Sequence, residues 1–218
     1  MATMTRTTGT TAMTARATVR PLQLVVSVAV IAAALLAAGI YLFGWGRNVP
    51  TPGSLVTIGG PFTLTTHAGE TQSDADLKGT LFAVFFGITH CPEVCPTTLW
   101  EMSEALATLD DDADNLKVLF VSVDPERDTQ ELLALYLQSF DPRIVGLTGS
   151  AEDIRAVGQQ YRAYWRAVPL EGGDYTIDHT ASIFLMDGAG AFIGTISYGE
   201  AMEERLEKLR KLISAKAA

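Results

Sequence analysis

Twenty-two consecutive residues, LQLVVSVAVIAAALLAAGIYLF at positions 22–43, carry no charge and only two polar side chains, Gln23 and Ser27. At about 1.5 Å per residue a helix of this length reaches ~33 Å, enough for a hydrocarbon core of ~30 Å. A helix buried in a globular core would show a polar face at helical spacing, and this segment shows almost none. A cleaved signal peptide typically has an apolar region of only about 7–15 residues. Ala37-Ala38-Gly39 has the small side chains of a cleavage site, and no cysteine follows it to take a lipid. We read the segment as an uncleaved membrane anchor. It divides the chain into an appendage and a domain.

Charge sets the direction of insertion. Residues 1–47 contain Arg6, Arg16, Arg20 and Arg47 and no acid, a balance of +4. All 25 acidic residues lie beyond position 69, so residues 48–218 carry −13 and the whole chain −9. Three arginines precede the apolar run and one follows it, which keeps the N-terminus in the cytoplasm. The expected organisation is a flexible cytoplasmic tail (1–21), a transmembrane anchor (22–43), a linker (44–60) containing Gly44, Gly46, Pro50, Pro52 and Gly53, and a domain (61–218). The expected location is the inner, cytoplasmic membrane, with the domain on the periplasmic side. A mitochondrial presequence shares the Arg-rich, acid-poor start, so the mitochondrial inner membrane is the second choice.

So acidic a domain is a poor partner for nucleic acid, which needs clustered Lys and Arg to displace counterions from phosphates. Two cysteines are too few for a disulfide-dense scaffold or a four-thiolate zinc site. From about position 60 apolar runs alternate with amphipathic segments. Leu81–Phe86, Lys117–Val123, Ile183–Met186 and Ala191–Ser197 read as strands, the last two joined by an Asp187-Gly188-Ala189-Gly190 hairpin turn. Thr97–Leu109, Thr129–Phe140, Ala151–Tyr161 and Ala201–Ile213 read as helices. This order predicts an α/β fold with a mixed sheet flanked by helices.

The first long strand runs directly into Gly87-Ile88-Thr89-His90-Cys91-Pro92-Glu93-Val94-Cys95-Pro96, and a helix follows at once. Four-residue spacing puts Cys91 and Cys95 on one side of a turn. A helix N-terminus favours negative charge, so thiolates there have a lowered pKa. Three readings fit: an inert disulfide, a thiol–disulfide exchange pair, and a soft-metal site. A ring this short constrains the unfolded chain little, which weakens the first. Spacing alone puts exchange slightly ahead of metal binding.

Three histidines are available as a further ligand. His67 reads as a solvated hairpin tip. His90 adjoins Cys91, and neighbouring side chains diverge, so it reads as a solvent-facing or supporting residue. His179 sits just before the Ile183 strand, where a histidine is usually packed or hydrogen-bonded. The run Asp110-Asp111-Asp112-Ala113-Asp114 lacks the glycine and terminal glutamate of a calcium loop and reads as a solvated helix end. Gly188, Gly190 and Gly194 lack the context of a dinucleotide loop.

The strings Thr89-His90-Cys91-Pro92-Glu93-Val94-Cys95-Pro96-Thr97-Thr98, Val121-Ser122-Val123-Asp124-Pro125-Glu126-Arg127-Asp128-Thr129 and Asp178-His179-Thr180 together resemble the Sco/SenC family over roughly residues 55–215. The family consists of membrane-anchored, thioredoxin-like copper chaperones of cytochrome c oxidase assembly. The resemblance implies a thioredoxin-like domain that binds copper, as Cu(I) with Cu(II) as a second state, through Cys91, Cys95 and His179. Cys91 and Cys95 double as a redox pair. Asp124 and Asp178 would support the ligands, and a strand-ending turn and helix cap is the competing role for Asp124. Ile88 departs from the family, which often has an aromatic residue there. The implied partners are the copper-bearing subunit of cytochrome c oxidase and other copper chaperones or thiol reductants. The protein is then a metallochaperone rather than an enzyme, with an extracytoplasmic thiol–disulfide oxidoreductase or redox sensor as the alternative. Transfer of copper to a partner predicts a site open to solvent rather than a sealed cage.

Overall fold

The computed structural model describes residues 21–40 and 57–215. These fall into two compact units, the first holding a single helix and the second all remaining elements. Helix α1 (Pro21–Ile40) covers most of the expected anchor, and positions 41–43 lie outside the described residues. The side chains described in α1, between positions 25 and 39, are nearly all exposed, Val25, Ile31, Leu35 and Leu36 among them. Among the described residues no helix is long and apolar enough to cross a membrane.

The second unit runs β1 (Thr63–Thr66), β2 (Thr71–Ser73), β3 (Leu81–Gly87), α2 (Val94–Leu109), β4 (Leu116–Ser122), α3 (Gln130–Leu137) and β5 (Ile144–Thr148). It continues with α4 (Ala151–Tyr161), β6 (Trp165–Pro169), β7 (Tyr175–His179), β8 (Ser182–Met186), β9 (Phe192–Ser197) and α5 (Met202–Ala215). Among the described residues seven strands form one sheet in the order β2-β1-β5-β4-β3-β8-β9, while β6 and β7 pair only with each other. β3, β4 and β5 are parallel, and the outer strands join antiparallel. This is a mixed α/β sheet flanked by helices.

All seven residues of β3, LFAVFFG, are buried. A strand covered on both faces reads as a continuous apolar run rather than an alternating one. Its register against β4 runs from Leu81 opposite Leu116 to Gly87 opposite Ser122, so the two strands end together. Helix α2 turns Leu99, Met102, Leu106 and Leu109 inward, the stripe its spacing predicts. It packs with α5, while α3 packs on β5 and α4 on β1. The N-caps Thr129 and Ser150 accept hydrogen bonds from Leu132 N at 3.3 Å and Asp153 N at 3.1 Å, which starts α3 and α4.

Helix α2 begins at Val94, three residues before the expected Thr97, because Pro96 needs no N–H in the first turn. That shift draws Cys95 into the helix. Strands β5, β6 and β7 escaped the periodicity. β5 is short and interrupted by Gly146, and β6 ends on Pro169 and shows no regular alternation of burial. His67 does lie at the tip of the β1–β2 hairpin, but it is not simply solvated: its Nδ1 accepts a hydrogen bond from Gly146 N at 3.0 Å and ties the tip to β5. The Asp110–Ala113 run forms a 3-10 turn after α2 with its aspartates exposed.

Candidate metal centre

The cysteine loop of the site hangs from the end of β3, beside the end of β4. Gly87 closes β3, and a Cβ there would lie 2.9 Å from the Cys95 sulfur and 2.7 Å from the Phe120 ring. Only a residue without a side chain lets the sulfur come so close to the strand end. Gly87→Ala is therefore expected to cost about 1–3 kcal/mol by overpacking and to weaken metal retention. Urea unfolding checks this, and a loss under ~0.5 kcal/mol, the range of surface substitutions, would show that the strand end yields.

Beyond Gly87, Ile88 is fully buried, so the position that departs from the family pattern fills core beneath the loop. The loop is then gripped by Asp128, whose side chain is wholly buried. Its carboxylate accepts hydrogen bonds from Thr89 N at 3.0 Å, Thr89 Oγ1 at 2.5 Å and Ser122 Oγ at 2.6 Å. His90 Nδ1 lies 3.4 Å from the same carboxylate, and the ring is about half exposed.

The next residues bring the sulfurs together. Cys91 is partly exposed and Cys95 buried, and both are free thiols. Cys95 N donates to the Cys91 sulfur at 3.4 Å. His179, at the end of β7, places Nε2 3.3 Å from the Cys95 sulfur. Its Nδ1 lies 3.0 Å from the Thr180 carbonyl. A carbonyl can only accept, so Nδ1 carries the proton and Nε2 is the nitrogen that faces the sulfurs. The ligand atoms of Cys91, Cys95 and His179 all lie within 4.8 Å of one another. Among the described residues they are the group of His, Cys, Asp and Glu side chains able to hold a metal ion.

The two thiols do not ionise alike. The hydrogen bond from Cys95, joined by one with His179, outweighs burial and pulls the Cys91 pKa down to about 3. Cys95 moves up, because it supplies that hydrogen bond and is buried. Both thiolates were expected to be stabilised by the helix N-terminus; only one is, since two adjacent sulfurs cannot both carry charge without a cation between them. Burial disfavours a charged His179 ring, but hydrogen bonds to Cys91 and the Thr180 carbonyl outweigh it and raise its pKa.

The two supporting carboxylates named from the sequence go elsewhere. Asp124 is buried but spends its oxygens on Arg127 Nε at 2.5 Å and Tyr175 OH at 3.0 Å. Asp178 is exposed and pairs with Arg166 at 3.3 Å, because consecutive residues of a strand point to opposite faces and His179 takes the inner one. The carboxylate that reaches the cysteine loop is Asp128, four residues after Asp124 in the same string. Its part, like that of Gly87, was missed. Spacing within a turn does not say which of two aspartates folds inward.

Comparison with known proteins follows this geometry. Residues 51–214 match the family model SCO1/SenC. The chain is 43% identical over 139 residues to human "Protein SCO1 homolog, mitochondrial", covering 62% of this chain and 46% of that protein. It spans about half the length of the curated relatives it matches. Its fold is similar to that of Bradyrhizobium japonicum ScoI with copper bound (47% identity, TM-score 0.67, covering 71% of this chain and 99% of that one). It is also similar to Arabidopsis thaliana ScoI with copper bound (33% identity, TM-score 0.68, covering 72% and 99%).

Proposed function

This chain belongs to the SCO1/SenC family, and from that premise we propose that its α/β domain carries copper on Cys91, Cys95 and His179 and delivers it to the dinuclear copper site of cytochrome c oxidase. One observation carries the proposal: two reduced sulfurs and an imidazole nitrogen converge within 4.8 Å. Soft sulfur with one nitrogen suits Cu(I) and disfavours hard ions, and zinc in a structural site would ask for a fourth protein ligand. The fit to the donor set is therefore good. Copper is cargo here, and the residues divide its handling. Cys95, fully buried, is the fixed anchor, while Cys91 and His179 are partly exposed and form the side on which a partner's ligands enter and exchange. Loading Cu(I) displaces the proton held on Cys95 and any proton on His179 Nε2, so affinity falls as the solution is acidified.

A second reading is favoured by the lowered pKa of Cys91. In it the Cys91 thiolate attacks a partner disulfide, forming a mixed disulfide and releasing one partner thiolate. Cys95 loses its proton and attacks Cys91, which closes the Cys91–Cys95 disulfide and frees the second partner thiolate. Two electrons pass to the partner. The same domain would then reduce the client's cysteines rather than fill them, and thiol reductants would regenerate it.

Membrane attachment belongs to the same proposal. The division into tail (1–21), anchor (22–43), linker (44–60) and domain (61–218) places the domain outside the cytoplasmic membrane. A helix with aliphatic side chains such as Val25, Ile31 and Leu36 turned outward supports it, since such a surface belongs in lipid or in a core. The test is copper stoichiometry of the full reduced chain. Wild type is expected to retain one Cu(I), the Cys91→Ser/Cys95→Ser double variant none, and His179→Ala to bind more weakly. Retention by the double variant would overturn the copper proposal. Normal oxidase assembly in a deletion strain, with thiol exchange surviving His179→Ala, would replace delivery with the oxidoreductase reading.

A further inference from the structure

Strand β7 brings His179 to the sulfurs, yet among the described residues the β6–β7 hairpin shares no strand pairing with the seven-stranded sheet. A two-stranded hairpin alone is marginal in water, so its position needs other supports. Packing supplies one at the His179 end. Trp165, opposite His179 in the hairpin, stacks on Phe86 at 6.5 Å and lies so close to Gly158 that a Cβ there would fall 2.2 Å from its ring. Packing is thinner towards the other end, where Ile177 is buried but Tyr175 packs only partly against the core. A cleft of about 520 Å³ runs against the inner face of the hairpin, with Ala167 and Ile177 on one wall and Val123, Ile154 and Arg155 on the other.

The far end is held by polar groups. Arg127 Nη1 donates to the Tyr175 carbonyl at 2.8 Å and to Asp174 at 3.2 Å, and its Nε donates to Asp124 at 2.5 Å. The guanidinium carbon sits 3.7 Å from the centre of the Tyr175 ring, and Tyr175 OH donates to Asp124 at 3.0 Å. These contacts, together with those of His179 to the cysteine loop, tie the strands of the hairpin and their connecting turn to the rest of the domain. Asp128, one residue on, grips the cysteine loop. One turn thus holds both limbs of the site.

We infer that Arg127 is a positioning residue for His179: by clamping Tyr175 to the turn after β4, it fixes where β7 carries the imidazole relative to the two sulfurs. The inference rests on the copper proposal above. Arginine is suited to the task because a planar fork bonds in two directions while its face stacks on a ring, and lysine can do only one of these.

The test compares full chains carrying Arg127→Ala, Arg127→Lys, His179→Ala and Arg127→Ala/His179→Ala. Cu(I) affinity is read by competition with a chromophoric chelator, nitrogen coupling by paramagnetic resonance of the Cu(II)-loaded form, and hairpin mobility by hydrogen exchange of the β7 amides without copper. Arg127→Ala is expected to weaken Cu(I) binding about 10–100-fold, the usual loss when a residue orienting a ligand is removed. It should also alter the nitrogen coupling and speed β7 exchange. In the His179→Ala background it should cost nothing further in affinity. Should Arg127→Ala fold poorly, Arg127→Lys gives the same changes in smaller measure. Unchanged affinity and coupling in a folded Arg127 variant, while His179→Ala alters both, overturns the inference alone. An equal loss with and without His179 overturns it too, by showing a general effect on the fold. If His179→Ala itself changes neither, the three-ligand proposal fails and takes this inference with it.

Discussion

Iodoacetamide is expected to alkylate Cys91 of the reduced, copper-free protein at a rate nearly flat between about pH 5 and 8, and to leave Cys95 unmodified. The thiolate is the nucleophile, and a free thiol with a pKa near 8.5 gains about tenfold in rate per pH unit over that range. Cys91, pulled down to about 3, is already ionised throughout, so its rate has nowhere to rise. Cys95 is raised and wholly buried, so it neither ionises nor meets the reagent. Labelling should fall almost wholly on Cys91, because Cys95 stays protonated and is shielded from the reagent. Peptide mass spectrometry after timed quenching separates the sites. Comparable labelling of both cysteines, or a Cys91 rate that climbs tenfold per unit, would remove the asymmetric pair from both functional readings. Linkage gives a companion sign. A thiol depressed on folding contributes stability that is complete above its unfolded value, near 8.5, and is lost as the pH falls towards about 3. His179, raised on folding, contributes the opposite way: its share is present below the ordinary imidazole value and lost as the pH climbs through the raised one.

Phe85→Ala is expected to cost about 3–5 kcal/mol, the usual penalty for emptying a buried phenylalanine site. That is a large fraction of the roughly 5–15 kcal/mol that holds a domain together. Phe85 is fully buried in the middle of β3, with its ring 6.0 Å from Phe120 and 6.0 Å edge-on from His179. The same substitution therefore removes core and a wall of the candidate metal site. Urea unfolding of the copper-free protein should show a lower midpoint at unchanged slope. Phe85→Leu, which keeps much of the volume, should lose clearly less. A penalty for Phe85→Ala under ~1 kcal/mol would mean that the neighbouring rings collapse into the space and that the site has no rigid floor.

The sequence analysis succeeded where a signal was local. The apolar run of β3, the stripe of α2 and the Asp187–Gly190 turn each lie within a few residues, and each appears in the structure close to its expected bounds. It failed where a segment is shaped by distant partners. β6 and β7 have no strong pattern of their own and take their place through Trp165 on Gly158 and Tyr175 on Arg127. The carboxylates show the same boundary. Asp124 and Asp128 occupy one turn, and nothing in their spacing says that Asp128 would fold under the cysteine loop while Asp124 turned to the hairpin.

The chain by itself determined that an acidic α/β domain follows an arginine-flanked apolar helix, and that two cysteines stand where a buried strand passes into a helix. Composition, periodicity and turn chemistry suffice for that, because each is a property of neighbours. Tertiary structure alone decided that Cys91 ionises and Cys95 does not, since burial and a shared proton separate them. It alone brought His179 within 3.3 Å of Cys95 across 84 positions of sequence. A soft-metal site needs donors converging on one point, and convergence is what linear spacing cannot express.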